Sequence, residues 1–240
     1  MYNFFKNIAK RLFLRQLLKK NESFFRHLIS LRYKGNFHQC NICKFSLSRF
    51  VVSNNNNLLC PKCGSLNRTR RLYKLLNDKQ ALKGNILHFS PPKSLYNKLK
   101  TLDIDYFSSD FENEFAADYS YNITDIPIDD DFFDTIICYH VLEHIEDDIK
   151  AISELYRVLK PKGTCYIQAP FKDGDIFEDF SITTPEKRKK YFGQEDHVRI
   201  YSLEGLRQRL NSVGFKTKYL HCEEDLYFGF KEESIIIVEK

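Results

Sequence analysis

N-I-T-D-I-P-I-D-D-D-F-F-D-T-I-I-C-Y-H-V-L-E-H-I-E-D-D runs from Asn122 to Asp148, and E-L-Y-R-V-L-K-P-K-G follows from Glu154 to Gly163. Within it, Thr135–Tyr139 is a short apolar run bounded by acidic and polar residues, the pattern of a buried strand. The spacing then predicts a helix over 147–159, with Ile149, Ile152, Leu155, Tyr156 and Leu159 on one face. Glu146, Asp147 and Asp148 stand at its positive end, and Pro161-Lys162-Gly163 stops it. A strand followed by a polar turn and an amphipathic helix is one half of a parallel βαβ unit.

Outward from this unit, the same alternation continues. Strands are expected at Ile86–Phe89, Ile104–Ser108, Tyr119–Ile123, Cys165–Ala169, 215–221 and 233–239, with helices near Ser94–Leu99 and over 203–213. Counted with Thr135–Tyr139, these make a mostly parallel seven-stranded α/β sheet with helices on both faces. If the first four strands run parallel, His88–Ser90, Asp110, Asn122-Ile123 and Tyr139-His140 lie at their carboxyl ends. Open α/β sheets bind ligands at that edge.

Upstream the pattern is different. Cys40-x2-Cys43 and Cys60-x2-Cys63 are sixteen residues apart and flank a β-rich stretch, Phe45 to Val52, and a polar tip, Asn54–Asn57. That spacing suits a four-cysteine zinc ribbon. Pro61 and Gly64 supply the stiffness and the permissive dihedral of a metal knuckle. Four thiolates would close the coordination sphere, so the zinc is expected to be structural. A helix from about Asn67 to Leu76 carries Arg68, Arg70 and Arg71, and Gly84 closes the connection to the first strand. The domains read as a basic helical segment over 1–35, the ribbon with its helix over 36–80, and the α/β domain over 81–240.

The N-terminal segment reads as helix over 2–33, in two pieces around Asn21-Glu22-Ser23. Residues 1–36 hold nine of the 37 Lys and Arg and a single acid, so the remaining chain, of total charge +5, is mildly acidic. A basic field over the α/β body, the footprint of a nucleic-acid binder, is therefore not expected. The helix packs its apolar stripe on the main domain or lies on an anionic membrane surface. Lys10, Arg11 and Arg15 break the apolar run that a signal peptide needs. The seven cysteines suit a reducing compartment, so a cytoplasmic protein is expected, peripheral to the inner membrane surface if the basic helix binds lipid.

The 122–163 stretch, and the chain from 60 to about 215 more broadly, resembles the class I S-adenosylmethionine-dependent methyltransferases. Within them it is similar to the methyltransferase type 11 group, in a subgroup where a cysteine pair and an Arg-bearing helix precede a Rossmann-like catalytic domain. The resemblance implies S-adenosylmethionine as cofactor. Asp110 would accept both ribose hydroxyls. Asn122, where relatives commonly have Asp, would accept from the adenine amino group through its amide oxygen, and the Ile123 N–H would face the adenine ring. Tyr139 and His140 would border the reacting methyl. Where the family usually has an acid and a Gly-x-Gly run, this chain has L-H-F-S-P-P-K-S from Leu87 to Ser94, with His88 and Ser90 replacing the usual groups.

Segment 171–201 is expected to form a substrate lid. It carries F-G-Q-E-D-H-V-R-I-Y from Phe192 to Tyr201, with Asp196, His197 and Arg199 as site candidates. His140 and His197 are the candidate catalytic bases, and His144 is read as structural. Three functions fit: methyl transfer to a small-molecule, glycan or other metabolite acceptor at oxygen or nitrogen; RNA methylation, with the ribbon and Arg68, Arg70 and Arg71 on phosphate; and a noncatalytic binding module.

Overall fold

A computed structural model describes residues 21–53 and 56–240. The helix expected over 2–20 and the start of the Asn54–Asn57 tip lie outside the described residues. The chain divides into two compact units. One takes the chain up to Lys74 together with Glu224–Lys231; the other takes Leu75–Glu223 and Glu232–Lys240. The sequence assigns 224–231 to the α/β domain, whereas the structure groups it with the cysteine-bearing unit.

The smaller unit starts with α1 (Glu22–Leu31) and β1 (Lys34–Gln39), and continues through the short strands β2 (Ser46–Leu47), β3 (Val51–Val52) and β4 (Leu58–Leu59). β1 pairs antiparallel with β2, and β3 with β4. The helix α2 (Asn67–Asp78) follows. Loop 224–231 joins through its backbone: the Gln39 N–H donates to the Tyr227 carbonyl at 2.9 Å, and His38 Nδ1 lies 2.7 Å from the Leu226 carbonyl. Gly229 has φ +60°, and a Cβ there would stand 2.3 Å from the Phe50 ring. Glycine is needed at this position both for its dihedral and for its missing side chain.

The larger unit contains β5 (Asn85–Phe89), α3 (Lys93–Leu99), β6 (Asp105–Ser109), β7 (Phe133–Tyr139), α4 (Asp148–Val158), β8 (Leu159–Gln168), β9 (Phe177–Glu178), α5 (Pro185–Phe192), β10 (Arg199–Ile200), α6 (Leu203–Val213), β11 (Lys216–Cys222) and β12 (Glu233–Glu239). Six of these strands form one sheet in the order β11-β12-β8-β7-β5-β6. β6, β5, β7 and β8 run parallel; β12 is antiparallel to both β8 and β11. The buried middle of the sheet, including Leu87, Phe89, Ile136, Cys138 and Ile167, packs with Ile152, Leu155 and Val158 of α4 in one apolar core. Central strands with no polar face follow from coverage on both sides.

Six strands, not seven, is a correction. Tyr119–Ile123 makes only an isolated parallel bridge between Tyr119 and Ser109. Its backbone is held in place by other groups: the Tyr119 N–H donates to the Ser108 carbonyl at 3.0 Å, and the Tyr121 N–H donates to Ser109 Oγ at 2.8 Å. With the Tyr119 and Tyr121 N–H groups taken up by these serines, the segment extends no further ladder along β6. β8 also begins earlier than the expected Cys165, directly at the end of α4, and Lys162 turns within it at φ +65°.

Candidate functional site

In the smaller unit, the four predicted metal ligands come together. Sγ atoms of Cys40 and Cys63 are 3.6 Å apart and those of Cys43 and Cys60 are 3.8 Å apart, with all four mutually within 4.8 Å. These gaps are too long for disulfides, and all four cysteines are free. A tetrahedron with metal–sulfur bonds of about 2.3 Å has edges of about 3.8 Å, so the thiol set fits zinc. Ser65 Oγ lies 3.1 Å from Cys63 Sγ and 3.4 Å from Cys40 Sγ, placed to donate to a thiolate.

Arg70 sits beneath this set with no solvent exposure. Its guanidinium donates to the carbonyls of Leu58 (3.1 Å), Ser65 (2.6 Å), Phe228 (2.8 Å) and Gly229 (2.8 Å), and stacks 4.1 Å from the centre of the Phe50 ring. Arg71 donates to the Lys231 carbonyl and lies 4.6 Å from the Phe230 ring centre. Two of the three arginines considered for phosphate binding therefore hold ribbon and loop together.

In the larger unit, the strand register aligns the predicted residues at one sheet edge. Phe89 is level with Ser109 and Cys138, and Tyr139 with Gln168. The chain turns sharply just beyond: Ser90 has φ +46° and its N–H donates to the Ser109 carbonyl, while His140 has φ +54° and its N–H donates to the Gln168 carbonyl. Left-handed residues other than glycine concentrate at functional sites. Ser90 thus takes up a backbone shape that glycine adopts most readily.

Asp110 is buried and well supported. Ser90 Oγ donates to its Oδ1 at 2.8 Å, and the Glu114 and Phe115 N–H groups donate to its Oδ2 at 2.6 and 2.9 Å. Each carboxylate oxygen has two lone-pair positions, so capacity remains for a ligand hydroxyl. Asn122 closes a local turn instead of presenting a free amide: its Oδ1 accepts from the Thr124 N–H and Oγ1 at 3.0 and 2.9 Å. Ile123 sits in the apolar core, and Tyr139 is buried at the end of β7. His88 is sealed inside, with Nδ1 3.0 Å from the Tyr106 hydroxyl, and burial pushes its pKa down to about 3. It presents no surface to a ligand and serves in packing.

His140 Nδ1 lies 3.2 Å from Oε1 of Glu143, which stands in a short 3-10 turn, Leu142–His144, and is 1% exposed. His144 Nδ1 is 3.0 Å from Asp196 Oδ2, and its ring meets that of His197 edge to face at 4.7 Å. His197 is buried, with Nδ1 3.2 Å from the Phe192 carbonyl. Burial, with the neighbouring His144, holds its pKa below the usual imidazole range, so the ring is neutral near pH 7. His140, His197, Asp196 and the supposedly structural His144 therefore gather around Glu143, which the sequence reading passed over. Two histidines and an acid within five residues, His140-x-x-Glu143-His144, are the signal that could have found it.

Arg199 differs in role. Fully buried, it donates to the carbonyls of Leu142 (3.3 Å), Ile145 and Glu146 (2.7 Å), and pairs with Glu178 at 2.9 Å. Asp148 receives the Tyr201 hydroxyl and Arg209. The Val198 N–H donates to the Glu143 carbonyl at 2.9 Å. The lid segment is thus bound to the turn after β7 by a clamp, and Arg199 positions the turn rather than touching a ligand.

Residues 95–167 match the family model described as a methyltransferase domain. The sheet and its helices resemble an S-adenosylmethionine-dependent methyltransferase of Archaeoglobus fulgidus, with a TM-score of 0.52, 15% identity, and coverage of 74% of this chain and 95% of that one. They also resemble phosphoethanolamine N-methyltransferase 2 of Haemonchus contortus, solved with S-adenosyl-L-methionine, at a TM-score of 0.51 and 15% identity over 74% of this chain and 53% of the other. At such identities the likeness is one of fold. Residues 95–167 thus match a methyltransferase domain, and the larger unit has the fold of S-adenosylmethionine-dependent methyltransferases. An uncharacterised protein of Methanocaldococcus jannaschii is 40% identical over 85 residues, or 34% of this chain; the chain spans only 37% of that relative's length.

Proposed function

We propose that this chain transfers a methyl group from S-adenosylmethionine to oxygen or nitrogen of a small-molecule, glycan or other metabolite acceptor. The observation that carries the reading is the Ser90–Asp110 pair at the ends of β5 and β6, one strand away from His140 at the end of β7. The cofactor supplies an activated methyl on a sulfonium. The protein's task is then to align donor and acceptor and to take a proton from the acceptor. Asp110 binds the ribose hydroxyls, and Ser90 holds its carboxylate. Glu143 fixes the His140 ring by accepting from Nδ1, which leaves Nε2 as the proton acceptor. His197, the other candidate base, stands beside the same carboxylate but is buried, so His140 carries the proton transfer.

Structural zinc in the cysteine set completes the proposal, with Arg70 offsetting the charge of four thiolates. The engagement of Arg70 and Arg71 with carbonyls favours a metabolite acceptor over RNA. Seven free cysteines support a cytoplasmic setting. Among the described residues no helix is long and apolar enough to cross a membrane, and peripheral contact through 1–33 stays part of the proposal.

Calorimetric titration with S-adenosylhomocysteine tests the reading. Binding to the wild type is expected, weakened about tenfold or more in Asp110→Asn, the loss of charge-assisted hydrogen bonds. His140→Asn should keep that affinity and lower turnover by about a hundredfold or more once an acceptor is found. No heat and no thermal shift with either cofactor form would make the chain a noncatalytic module instead.

A further inference from the structure

We infer that Glu143, His144 and His197 form a second metal site, a two-histidine, one-carboxylate set for a divalent transition ion of the zinc class, separate from the four cysteines. One ligand atom from each of the three residues lies within 4.8 Å of the others. Ligands about 2.0–2.2 Å from one ion are separated by up to about 4 Å, so the three groups stand close to the spread that a common ion requires.

The hydrogen bonds around the rings select which atoms are free to ligate. A carbonyl oxygen only accepts, so His197 donates to Phe192 from Nδ1, and Nε2 carries the lone pair. His144 donates from Nδ1 to Asp196 by the same argument, again leaving Nε2. Glu143 receives His140 on Oε1, and its Oε2 remains. Metal-binding histidines are oriented in this way, with the far nitrogen bound to a carbonyl or carboxylate.

The second observation is the unmet polarity of the pocket. Glu143 Oε2 and His197 Nε2 are buried without a hydrogen-bond partner among the described residues. A carboxylate and an imidazole, both nearly sealed from water, each leave a lone pair unpaired where that is costly. The adjacent cation, Arg199, does not relieve them, since it is bound to the carbonyls of 142, 145 and 146 and to Glu178. A cation bound by all three groups satisfies every one of these atoms. Nitrogen and oxygen donors suit Zn2+, Co2+, Fe2+ or Mn2+ more than Ca2+ or Mg2+. Three protein ligands leave coordination positions open, unlike the closed cysteine set.

The full chain, with its cysteines saturated by zinc and then desalted, is the material for the test. Titrating it with further Zn2+ should add about one equivalent per chain, measured by atomic spectrometry. Titrating with Co2+ should give a weak visible band of nitrogen and oxygen ligation without added thiolate charge-transfer absorption. Glu143→Gln, which keeps the shape of the side chain, and His197→Ala should each abolish the added equivalent and retain the first. Near-ultraviolet circular dichroism reports whether each variant is folded, and if His197→Ala is not, Glu143→Gln decides. A folded wild type that takes no second equivalent overturns the inference, as does an added equivalent that persists in Glu143→Gln. None of these readouts depends on methyl transfer.

Discussion

At the scale of single residues, the site edge is built from conformations and ionisation states that the surrounding fold imposes. Ser90 and His140 hold left-handed dihedrals because the carbonyls of Ser109 and Gln168 fix their N–H groups from the neighbouring strands. His88 is the other imposed case, an imidazole kept neutral by burial. Its folded pKa of about 3 lies below the unfolded value of about 6.5. Between these values the unfolded chain binds the extra proton, so the stabilisation is complete above about pH 6.5 and is lost as pH falls toward about 3. The loss by about pH 4 is on the order of 3 kcal/mol. Urea denaturation of wild type and His88→Gln across this range checks it. The stability difference should change in favour of the variant as pH falls, and a difference that does not vary with pH assigns the acid sensitivity to other groups.

At the scale of elements, the two sequence stretches that drew attention, 140–148 and 196–201, are halves of one assembly. Arg199 is the bond between them, and lysine cannot replace a planar group that reaches three carbonyls and a carboxylate. Arg199→Lys is expected to destabilise the larger unit by about 3 kcal/mol, the scale for breaking a buried charged network. Hydrogen exchange should show faster exchange of the amides in 142–148 and 197–201, while those in the middle of β7 stay slow. Uniform acceleration across the unit would mean that the clamp is not local. Much at this scale was legible in advance: β5, β7, α4, α6 and β12 follow from apolar runs, helical spacing and stop signals. Tyr119–Ile123 was not, because its side chains read as strand while Ser108 and Ser109 take up its Tyr119 and Tyr121 N–H groups. Nor was the use of Arg199, since nothing in a linear pattern distinguishes an arginine that binds carbonyls from one that meets a ligand. The Ser90–Asp110 pair was legible as strand-end chemistry; the gathering around Glu143 needed the 3-10 turn and the lid brought together.

At the scale of the whole molecule, the smaller unit depends on its cysteine set far more than the sheet does, because its strands are two residues long apart from β1. Zinc binding to such a module contributes on the order of 10 kcal/mol. Strong chelation is therefore expected to abolish hydrogen-exchange protection of residues 40–65, with the amides of β5, β7 and β8 still protected. Protection of 40–65 that survives complete metal removal would show that packing alone holds the ribbon. The boundaries of this unit could not be read locally. Arg70 binds carbonyls 158 and 159 residues further along the chain, and no nearby sequence signal announces so distant a partner.

That distant partner also sets an order of events during synthesis. The cysteines and Arg70 emerge from the ribosome first, and Phe228 and Gly229, which supply two of the carbonyls around the guanidinium, follow only 158 and 159 residues after the arginine. Over that interval the arginine has no complete carbonyl cage, and the nascent ribbon waits while some 150 residues of sheet and helix are made. A ribosome stalled before residue 224 would hold a chain in which β12 is not yet made and Arg70 still lacks the Phe228 and Gly229 carbonyls.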